Sequence, residues 1–540
     1  MNDRYGHRVL MLITVLSILM LATSNLWGVI ETSEARYAEI SREMFRSGDW
    51  MHPTLLNIHH YHKPPITYWL TAISYSIFGV NAFAVRFFLT IAYCLQVLLI
   101  LKIAQQLYNN TQTAWYAALV YATLPIVLIS VRGLTTDAYL STFVLLSMYW
   151  WIRYLKSSKV YYLYFIGVAF GLGFMTKGPV VFIVPAFAIM GLRKWLPIPR
   201  VNILHGILAF VLFLVVGFWW FAYVIKEDSR LGDYFVFRHL VDRFSNAEVF
   251  TRREPWYYYL PLIPLVSIPW IAPFVMVFFD KRTEAKKEDR QLVKYIGIWW
   301  FLLPLILYSI SSSKLVLYIL PLFVGFSLIT AHFLQGVSKP FLAVIFGLIL
   351  LIYTALLLLP FGTSLFSVEW WLTLFPAVFL LLSLYVWHKK LSSDHAVSIL
   401  SVLFAIHLIL YASFFFRFNS LQVNGITPVS TFIKGNNLVN RKILVYDALL
   451  PSLAFELDKE IISVYDGDRS LRRETQFEKN DDWENFLIDA TDQHGLILVK
   501  EMIAEKSVLV VKTASISKLK SVMQGVWQEQ NFGRWTVYYN

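Results

Sequence analysis

The segment ILHGILAFVLFLVVGFWWFAYVI (Ile203–Ile225) decides the class of fold, because none of its 23 residues is Lys, Arg, Asp or Glu. A helix of this length crosses a hydrocarbon core of about 30 Å, and comparable apolar runs recur along the chain. The 540 residues are 57% hydrophobic and 17% aromatic, with a mean hydropathy of +0.56. The sequence therefore predicts a polytopic α-helical membrane protein with about 13 transmembrane helices.

The shorter apolar segment Pro65–Gly79 decides which side of the membrane each loop faces. It has only about fifteen residues and is rich in Tyr, Trp, Ser and Thr, which suits a re-entrant or interfacial helix better than a span. Without it, the short basic loops all face the cytoplasm, as the positive-inside rule requires, whereas counting it would place them outside. The predicted spans are Arg8–Ile30, Phe83–Leu107, Thr113–Val131, Ala138–Leu155, Tyr161–Met175, Pro179–Leu192, Ile203–Ile225, Tyr257–Phe279, Val293–Ile310, Leu315–Phe333, Phe341–Pro360, Trp370–Trp387 and Ala396–Phe416.

The net charge of +12 is explained by basic cytoplasmic loops and attraction to anionic lipid, so it does not indicate nucleic-acid binding. Cys94 is the only cysteine, which excludes an internal disulfide. The outer face collects the loops with unusual sequences. They are residues 31–64, RGLTTD (Arg132–Asp137), TKGP (Thr176–Pro179), Lys226–Trp256, SSSK (Ser311–Lys314) and the region after Phe416.

A change of composition after Phe416 predicts two domains: a transmembrane domain (1–416, with a first outer loop at 31–82) and a more polar domain (417–540). Short apolar runs alternate with helix-like stretches in the second domain, which predicts a small soluble α/β fold. No Gly-rich loop opens any of its helices, so nucleotide binding is not predicted. The expected strands are Lys442–Asp447, Ile461–Asp466, Gly495–Lys500 and Val508–Lys512, and the expected helices are Pro451–Leu457, Asp481–Ala490 and Ser515–Gln524.

Two carboxylates at the outer edge of the membrane are candidates for chemistry. Glu34 lies where the chain leaves the first span, ahead of a pattern typical of a surface helix with local Glu–Arg pairs. It could act as a general base or coordinate a divalent cation. Asp137 begins a later span, where capping of that helix is the alternative role. If they share a cavity, the two side chains could hold a divalent metal ion or divide the roles of base and substrate positioning.

Basic side chains on the same face suit an anionic substrate, because positive charge is normally depleted in outer loops. Several such donors together can bind a phosphate, although each one alone could be an interfacial residue with its charge drawn toward water. The candidates are Lys63 before two prolines, Lys177 in TKGP, Arg243 in RHLVDRF and Lys314 in SSSK.

The first outer loop also contains His52, His59, His60 and His62. Because His59 and His60 are adjacent, they cannot both face one site from a regular element. The pattern therefore favours a polar interfacial loop over a metal site built from histidines.

Seven motifs in this order resemble the GT-C class of membrane glycosyltransferases, in the branch of aminoarabinose lipid A transferases and protein mannosyltransferase-like (family 39-like) enzymes. They cover roughly residues 27–322. They are EARYAEISREMFRSGDW (Glu34–Trp50), YHKPPITYWLTAISYSIFGVNAFAVR (Tyr61–Arg86), LTTDAYL (Leu134–Leu140), GFMTKGP (Gly173–Pro179), RHLVDRF (Arg238–Phe244), PWYYYL (Pro255–Leu260) and SKLVLYILPL (Ser313–Leu322).

The resemblance implies a GT-C fold and a role for particular residues. The outer-loop carboxylates of the family correspond to the Glu34 region and to Asp137, while Lys63, Arg243 and Tyr318 fall where the donor's lipid-linked phosphate is bound, and Lys177 lies in the shared KGP turn. Two departures matter. Relatives have Asp-Glu where this chain has Ser33-Glu34, which weakens the case for a metal and leaves Glu34, or alternatively Glu31, to carry the role of the first outer loop. They have Glu where this chain has His62, next to the sugar.

The function that this resemblance implies is transfer of a sugar from a polyprenyl-phosphate-linked donor to a lipid A-like or other cell-envelope acceptor. The chain would lie in the bacterial inner membrane, with the active site and the C-terminal domain facing the periplasm. Membrane lipids are the remaining expected partners. A transporter or flippase of lipid-linked sugars is the alternative, but such proteins carry ionisable groups at the midplane of repeated halves, and no repeat is visible here. A membrane anchor that presents the C-terminal domain as a binding module would leave the motif loops unexplained.

Overall fold

The computed structural model describes residues 3–31, 33–193, 199, 202–236, 254–279, 287–362, 366, 369–515, 523 and 526–540. The chain forms two compact units. The membrane unit comprises Met1–Thr23 and Leu89–Phe415, and the sheet unit comprises Ser24–Phe88 and Phe416–Asn540. The first outer loop, which the sequence analysis assigned to the transmembrane domain, is thus part of the same unit as the C-terminal region.

The membrane unit is helical, as the apolar runs predicted. Within the described ranges, nine helical segments are long and apolar enough to cross a bilayer, and the short helix Ile66–Phe78 is not one of them. The polytopic α-helical class is confirmed, and the number of thirteen spans stays a prediction. The nine segments are Tyr5–Thr23, Ala82–Tyr108, Tyr161–Leu192, Ile203–Glu227, Arg290–Ile310, Val316–Leu334, Lys339–Gly362, Trp370–His388 and Ser393–Phe418.

Prolines explain why some expected spans are interrupted. The expected span Thr113–Val131 breaks at Leu124, whose extended backbone precedes Pro125, because the residue before a proline is driven out of the helical region. The other helices of this unit either lie outside the nine segments or form parts of them. They are Thr111–Thr123, Pro125–Ser130, Thr136–Ser157, Tyr161–Lys177, Ile183–Leu192, Arg230–Asp233, Tyr259–Ser267, Ile271–Met276, Lys287–Tyr295, Leu303–Ile310 and Phe323–Leu334. A π-helix covers Ile296–Leu302, and 3-10 turns cover Gly178–Phe182, Val316–Leu322 and Trp370–Thr373.

Small residues allow two of the membrane helices to pack closely. A Cβ at Gly167 would lie 2.3 Å from the carbonyl oxygen of Ala209, and one at Gly171 would lie 2.7 Å from the side chain of Val216. Helix contacts of this kind are common in bilayers, where close approach of backbones replaces the hydrophobic driving force. The contact fixes Tyr161–Lys177, and with it Lys177 at its end, against Ile203–Glu227.

The sheet unit contains a hairpin and a six-stranded sheet. The hairpin strands are β1 (Thr54–Leu55) and β2 (Ile58–His59). The sheet has the order β5-β4-β3-β6-β8-β7, in which β5, β4, β3 and β6 are parallel, β8 is antiparallel to β6, and β7 is antiparallel to β8. The strands are β3 (Lys442–Tyr446), β4 (Ile462–Tyr465), β5 (Leu487–Asp489), β6 (Ser507–Lys512), β7 (Gln528–Asn531) and β8 (Trp535–Tyr539).

Helices from both chain segments cover this sheet. Its main core joins Ile40 and Met44 of the first segment to Val445, Val510 and Val537 of the sheet. The helix Ser33–Ser47 is therefore mostly buried, which corrects the expectation of a surface helix. The helices are Ser33–Ser47, Ile66–Phe78, the start of Ala82–Tyr108, Thr427–Gly435, Pro451–Leu457, Arg469–Glu474 and Gln493–Ala504, with 3-10 turns at Thr475–Phe477, Asp482–Asn485 and Thr513–Ser515.

Three of the expected strands and the helix Pro451–Leu457 are confirmed in the sheet unit, but two expectations are wrong. Gly495–Lys500 is helical, because Asp492 caps the helix Gln493–Ala504 and its residues Leu496, Val499 and Ile503 recur with helical spacing. Residues 481–490 form a 3-10 turn and β5 instead of a helix. The expected helix Ser515–Gln524 lies almost entirely outside the described residues.

Candidate functional site

Asp137 and Lys177 form a buried ion pair in the membrane unit. Asp137 lies in the first turn of the helix Thr136–Ser157, and the Thr135 side chain caps that helix by accepting a hydrogen bond from the Asp137 backbone N–H. Lys177 ends the helix Tyr161–Lys177, where Gly178 turns the chain with a φ of +71°. The Lys177 ammonium donates to Asp137 Oδ1, and both side chains are less than 10% exposed. Two residues that the sequence singled out separately thus meet.

Two tyrosine side chains, Tyr318 and Tyr308, interact with this pair. The Lys177 ammonium lies 4.2 Å from the centroid of the Tyr318 ring, a favourable cation–π contact. Tyr308 interacts electrostatically with Asp137, and its buried hydroxyl has no hydrogen-bond partner within the described part of the chain. Tyr259 donates a hydrogen bond of 3.1 Å to the Leu315 carbonyl.

The sequence analysis assigned no role to Tyr308 or Tyr259. Tyr259 lies in the quoted motif PWYYYL, and Tyr308 is a polar aromatic residue three positions before the SSSK loop. A hydroxyl at the end of a span, next to a candidate loop, is the signal that could have revealed Tyr308.

Another predicted phosphate-binding residue, Lys314, belongs to the same unit. Lys314 is buried, and its ammonium donates a 2.8 Å hydrogen bond to the Glu254 carbonyl. Burial lowers the pKa of Lys314 because it disfavours the charged ammonium. Contacts such as the hydrogen bond to the Glu254 carbonyl stabilise that charge. Arg243 lies outside the described residues.

Glu34 forms a buried network with Arg86 in the sheet unit. Arg86 is only 1% exposed, and its guanidinium donates to both Glu34 oxygens at 2.9 and 3.0 Å. It also donates to the carbonyls of Ser24, Trp27 and Gly28 and stacks on the Trp27 ring at 4.1 Å. The Ile30 backbone N–H donates to Glu34 Oε2 at 3.0 Å. These contacts hold together the start of the first outer loop.

The same contacts bear on metal binding. A divalent cation needs carboxylate oxygens that can turn toward it, yet both Glu34 oxygens accept hydrogen bonds from Arg86, and Asp137 is neutralised by Lys177. Taken by itself, each carboxylate is therefore arranged to position a cationic side chain and not to hold a divalent metal ion.

His62 and Lys63 follow the hairpin of the sheet unit. His60 Nδ1 lies 2.6 Å from Glu474 Oε2, and His62 Nε2 lies 3.6 Å from the same oxygen. Burial opposes the charge of Glu474, but the two histidines hold the pKa of its carboxyl well below the usual range. Lys63 is half-buried next to this group.

Among the residues that the structure describes, one group has ligand atoms close enough together to hold a metal ion. It consists of His60, His62 and Glu474, whose ligand atoms all lie within 4.8 Å of one another. The adjacent residues His59 and His60 point to opposite sides of an extended chain, which is why a shared site was not predicted for them. Alternate residues such as His60 and His62 point to the same side. The hydrogen bond between His60 and Glu474 and the ion-pair contact of His62 with the same carboxylate give the group a structural role without an ion.

Glu43 is an acid that burial keeps protonated at neutral pH. Burial in the sheet unit, and then the negative charge of Glu39, raise the pKa of Glu43 to about 8. One of its oxygens accepts from the Asn57 N–H at 3.1 Å, and the other is buried without a partner among the described residues. The helix Ser33–Ser47 therefore contains a carboxyl that resists ionisation.

We expect Glu43 to lower the stability of the protein as the pH rises from about 4.5 to 8. In this window the folded state holds a proton that the unfolded state has already lost, so the cost in stability reaches about 5 kcal/mol above pH 8. Glu43→Gln, which is uncharged and of similar shape, should raise the unfolding temperature at pH 8.5 and change it little at pH 5. Thermal unfolding of the purified protein in detergent measures the difference.

The matched control for this experiment is Glu460→Gln, at an exposed position of the same unit. It should shift the unfolding temperature equally at both pH values. A Glu43→Gln variant that is destabilised by the same amount at pH 5 and 8.5 would show that this carboxyl is ionised in the folded protein.

The chain is similar in sequence to known proteins over part of its length. Residues 62–221 match the family model of dolichyl-phosphate-mannose-protein mannosyltransferases. The chain is 30% identical over 337 residues to an undecaprenyl phosphate-alpha-4-amino-4-deoxy-L-arabinose arabinosyl transferase 2 of Pseudomonas fluorescens (strain Pf0-1), covering 62% of this chain and 60% of the relative. It is 32% identical over 345 residues to the enzyme of that name from Proteus mirabilis (strain HI4320), covering 63% and 61%. The matches thus span about 60% of the length of these curated relatives.

The fold extends further than the sequence match. The crystal structure of ArnT from Cupriavidus metallidurans bound to undecaprenyl phosphate superposes with a TM-score of 0.77 at 18% identity, covering 100% of this chain and 98% of that one. The apo structure of the same protein gives a TM-score of 0.77 at 19% identity. The expected GT-C fold, with its small C-terminal sheet region, is therefore confirmed. Together these matches confirm the resemblance that the motifs indicated, to GT-C membrane glycosyltransferases of the aminoarabinose transferase branch.

Proposed function

We propose that the protein is a glycosyltransferase that moves a sugar from an undecaprenyl-phosphate-linked donor to a lipid A-like acceptor at the periplasmic face of the inner membrane. The observation that carries the proposal is the buried Asp137–Lys177 pair, held against the Tyr318 ring. Support comes from the curated relatives, whose names state transfer of an arabinosyl group from undecaprenyl phosphate, and from the multi-pass architecture.

The ion pair suits the chemistry of a phosphate leaving group. When the glycosidic bond breaks, the carrier phosphate gains negative charge, and a fixed cation in a water-poor site stabilises that charge. Lys177 is such a cation, because the Asp137 carboxylate and the Tyr318 ring fix its position. Lys314 lies in a neighbouring loop motif and supplies a second cation in this proposal.

The proposed step is a single displacement. An oxygen of the acceptor phosphate attacks the anomeric carbon, the bond from that carbon to the carrier phosphate oxygen breaks, and the carrier leaves with the electron pair. A phosphate acceptor is already ionised at neutral pH, so the step needs no proton transfer to a base. Asp137 then acts by holding Lys177 and by orienting the acceptor.

The other candidates keep the roles that the resemblance implies. Lys63 and Arg243 bind the donor phosphate, and His62 contacts the sugar. Since His62 replaces a glutamate of the relatives, the transferred sugar can differ from aminoarabinose. The contacts of Glu34 with Arg86 favour a structural role for it over that of a base.

The function is tested in membranes of defined orientation. Spheroplasts expose the periplasmic face and inverted vesicles the cytoplasmic face, and both are prepared from a strain that lacks the gene and carries it on a plasmid. With lipid A and an undecaprenyl-phosphate-linked aminopentose or hexose added from outside, we expect mass spectrometry to show a sugar-sized mass gain on lipid A with spheroplasts only. Membranes without the plasmid are the control.

Two results would contradict the proposal. Modification that occurs only in inverted vesicles would refute the periplasmic orientation. A lipid A profile that is the same with and without the plasmid, for every sugar donor supplied, would refute this acceptor.

A further inference from the structure

The sheet unit contains a cavity at the position where open α/β sheets commonly bind ligands. The chain runs from β3 to β4 and β5 toward one edge and then crosses back, so that β6 pairs with the other side of β3. The strand order therefore reverses between β3 and β6. In open α/β sheets, ligands bind outside the carboxyl ends of the strands at such a reversal.

The cavity lies at this reversal. Its volume is about 150 Å³, and its wall includes the chain after β3 (Ala448, Leu449 and Leu450), the end of β6 at Lys512, and the start of β8 at Trp535. An engineered cavity of about 150 Å³ binds benzene, so the space suits one six-membered ring. Leu449 and Trp535 provide an apolar wall for such a ring.

Polar side chains of both kinds line the remaining wall. Lys512 and Arg534 are donors, Asp468 and Glu31 are acceptors, and Ser470 can be either. Within the part of the chain that the structure describes, the contacts of the Lys512 ammonium are long, 3.3 Å to the Asp447 carbonyl and 3.5 Å to Asp468 Oδ2. A ligand with an anionic group could therefore make shorter bonds to Lys512 than the protein does.

The charge balance favours an anion. Burial raises the pKa of Glu31 to about 7, so the Glu31 carboxyl is uncharged in about half of the protein molecules at neutral pH. The two cations then outweigh the charge of Asp468 and Glu31. Glu31 accepts a hydrogen bond of 2.8 Å from the Ser452 backbone N–H, which keeps it in the wall.

We propose that this cavity binds a phosphorylated sugar: Lys512 and Arg534 bind the phosphate, Asp468 and Ser470 bind sugar hydroxyls, and Trp535 packs against the ring. A bare phosphate would make no use of the apolar wall, and an uncharged sugar would bring no anionic group to Lys512 and Arg534, which contact Asp468 and Asn424 within the protein. The group can come from a free sugar phosphate or from a lipid head group, which share this chemistry. The inference is independent of the proposed function, since none of these residues has a role in the transfer step.

Isothermal titration calorimetry on the full-length protein in nanodiscs tests the proposal, with glucose 1-phosphate, glucose and inorganic phosphate as probes. We expect saturable binding of glucose 1-phosphate and at least tenfold weaker binding of the other two. Lys512→Met and Arg534→Gln should each weaken binding of glucose 1-phosphate at least tenfold. Lys442→Met is the matched control, because Lys442 lies exposed at the opposite end of β3 and should leave binding unchanged.

A second arm distinguishes the two sources. Displacement of glucose 1-phosphate by nanodiscs that contain a phosphorylated glycolipid, but not by nanodiscs of uncharged lipid, assigns the ligand to a lipid head group, and absence of displacement assigns it to a free sugar phosphate. The proposal is overturned if the parent protein shows no saturable binding, if Lys512→Met binds as tightly as the parent, or if inorganic phosphate binds as tightly as glucose 1-phosphate.

Discussion

Replacing Asp137 with Asn is expected to lower sugar transfer by about 10²–10³-fold, the usual effect of removing one preorganised electrostatic group. The uncharged amide would no longer neutralise Lys177, so the ammonium would lose the partner that fixes its position against Tyr318. The same change should cost stability, about 3–5 kcal/mol, because it leaves one charge of a buried pair uncompensated. Transfer is measured with purified protein at equal concentrations of folded enzyme.

The double variant Asp137→Asn/Lys177→Met separates these two effects. It removes both charges, so most of the stability should return, whereas transfer should stay as low as in the single variant. Asp394→Asn is the matched control, since this carboxylate accepts hydrogen bonds from Tyr116 and Gln112 and belongs to no candidate motif. If the double variant recovers both stability and transfer, the ion pair only supports the fold.

Replacing Arg86 with Met is expected to destabilise the sheet unit by about 3–5 kcal/mol, the cost of breaking a buried ion pair on one side. The change leaves the Glu34 carboxylate buried without its partner and removes donors from three backbone carbonyls. Limited proteolysis and thermal unfolding of the purified protein measure the loss. Arg46→Met is the matched control, because Arg46 is exposed in the same unit and its pair with Asp458 contributes about 0–1 kcal/mol.

Glu34→Gln then decides the role of Glu34. If Glu34 mainly positions the outer loop through Arg86, the folded fraction of this variant should keep transfer within about tenfold of the parent. A loss as large as that of Asp137→Asn, in protein that resists protease like the parent, would instead establish Glu34 as a catalytic carboxylate. An Arg86→Met variant as stable as the parent would contradict the structural role of the network.

The sequence predicted the class of fold because that class depends on local properties. Runs such as Ile203–Ile225 identify membrane helices from length and composition alone, and the β3 and β6 strands are short apolar runs bounded by polar residues. The helix Gln493–Ala504 shows where this reasoning fails. GLILVK is apolar enough for a buried strand, and its identity is decided by the Asp492 cap and by residues beyond the run.

The candidate site shows a similar limit. Asp137 and Lys177 were found from their positions at the ends of spans, but their pairing joins residues 40 positions apart on different helices and leaves no local pattern. Arg86 ends one of the quoted motifs, yet nothing in a single sequence marks it as the partner of Glu34. Such long-range pairing of charges depends on how distant segments pack together, and composition and periodicity do not reveal that packing.

The sheet unit draws its core from two chain segments separated by residues 89–415 of the membrane unit. At ribosomal rates of about 5–20 residues per second, residues 24–88 leave the ribosome some tens of seconds before residue 416 is made. During that interval Ile40, Met44 and the acids of the first loop lack the strands that later bury them. Residues 24–88 therefore remain exposed to water, proteases and chaperones until the last strands of the sheet have been synthesised and pack against them.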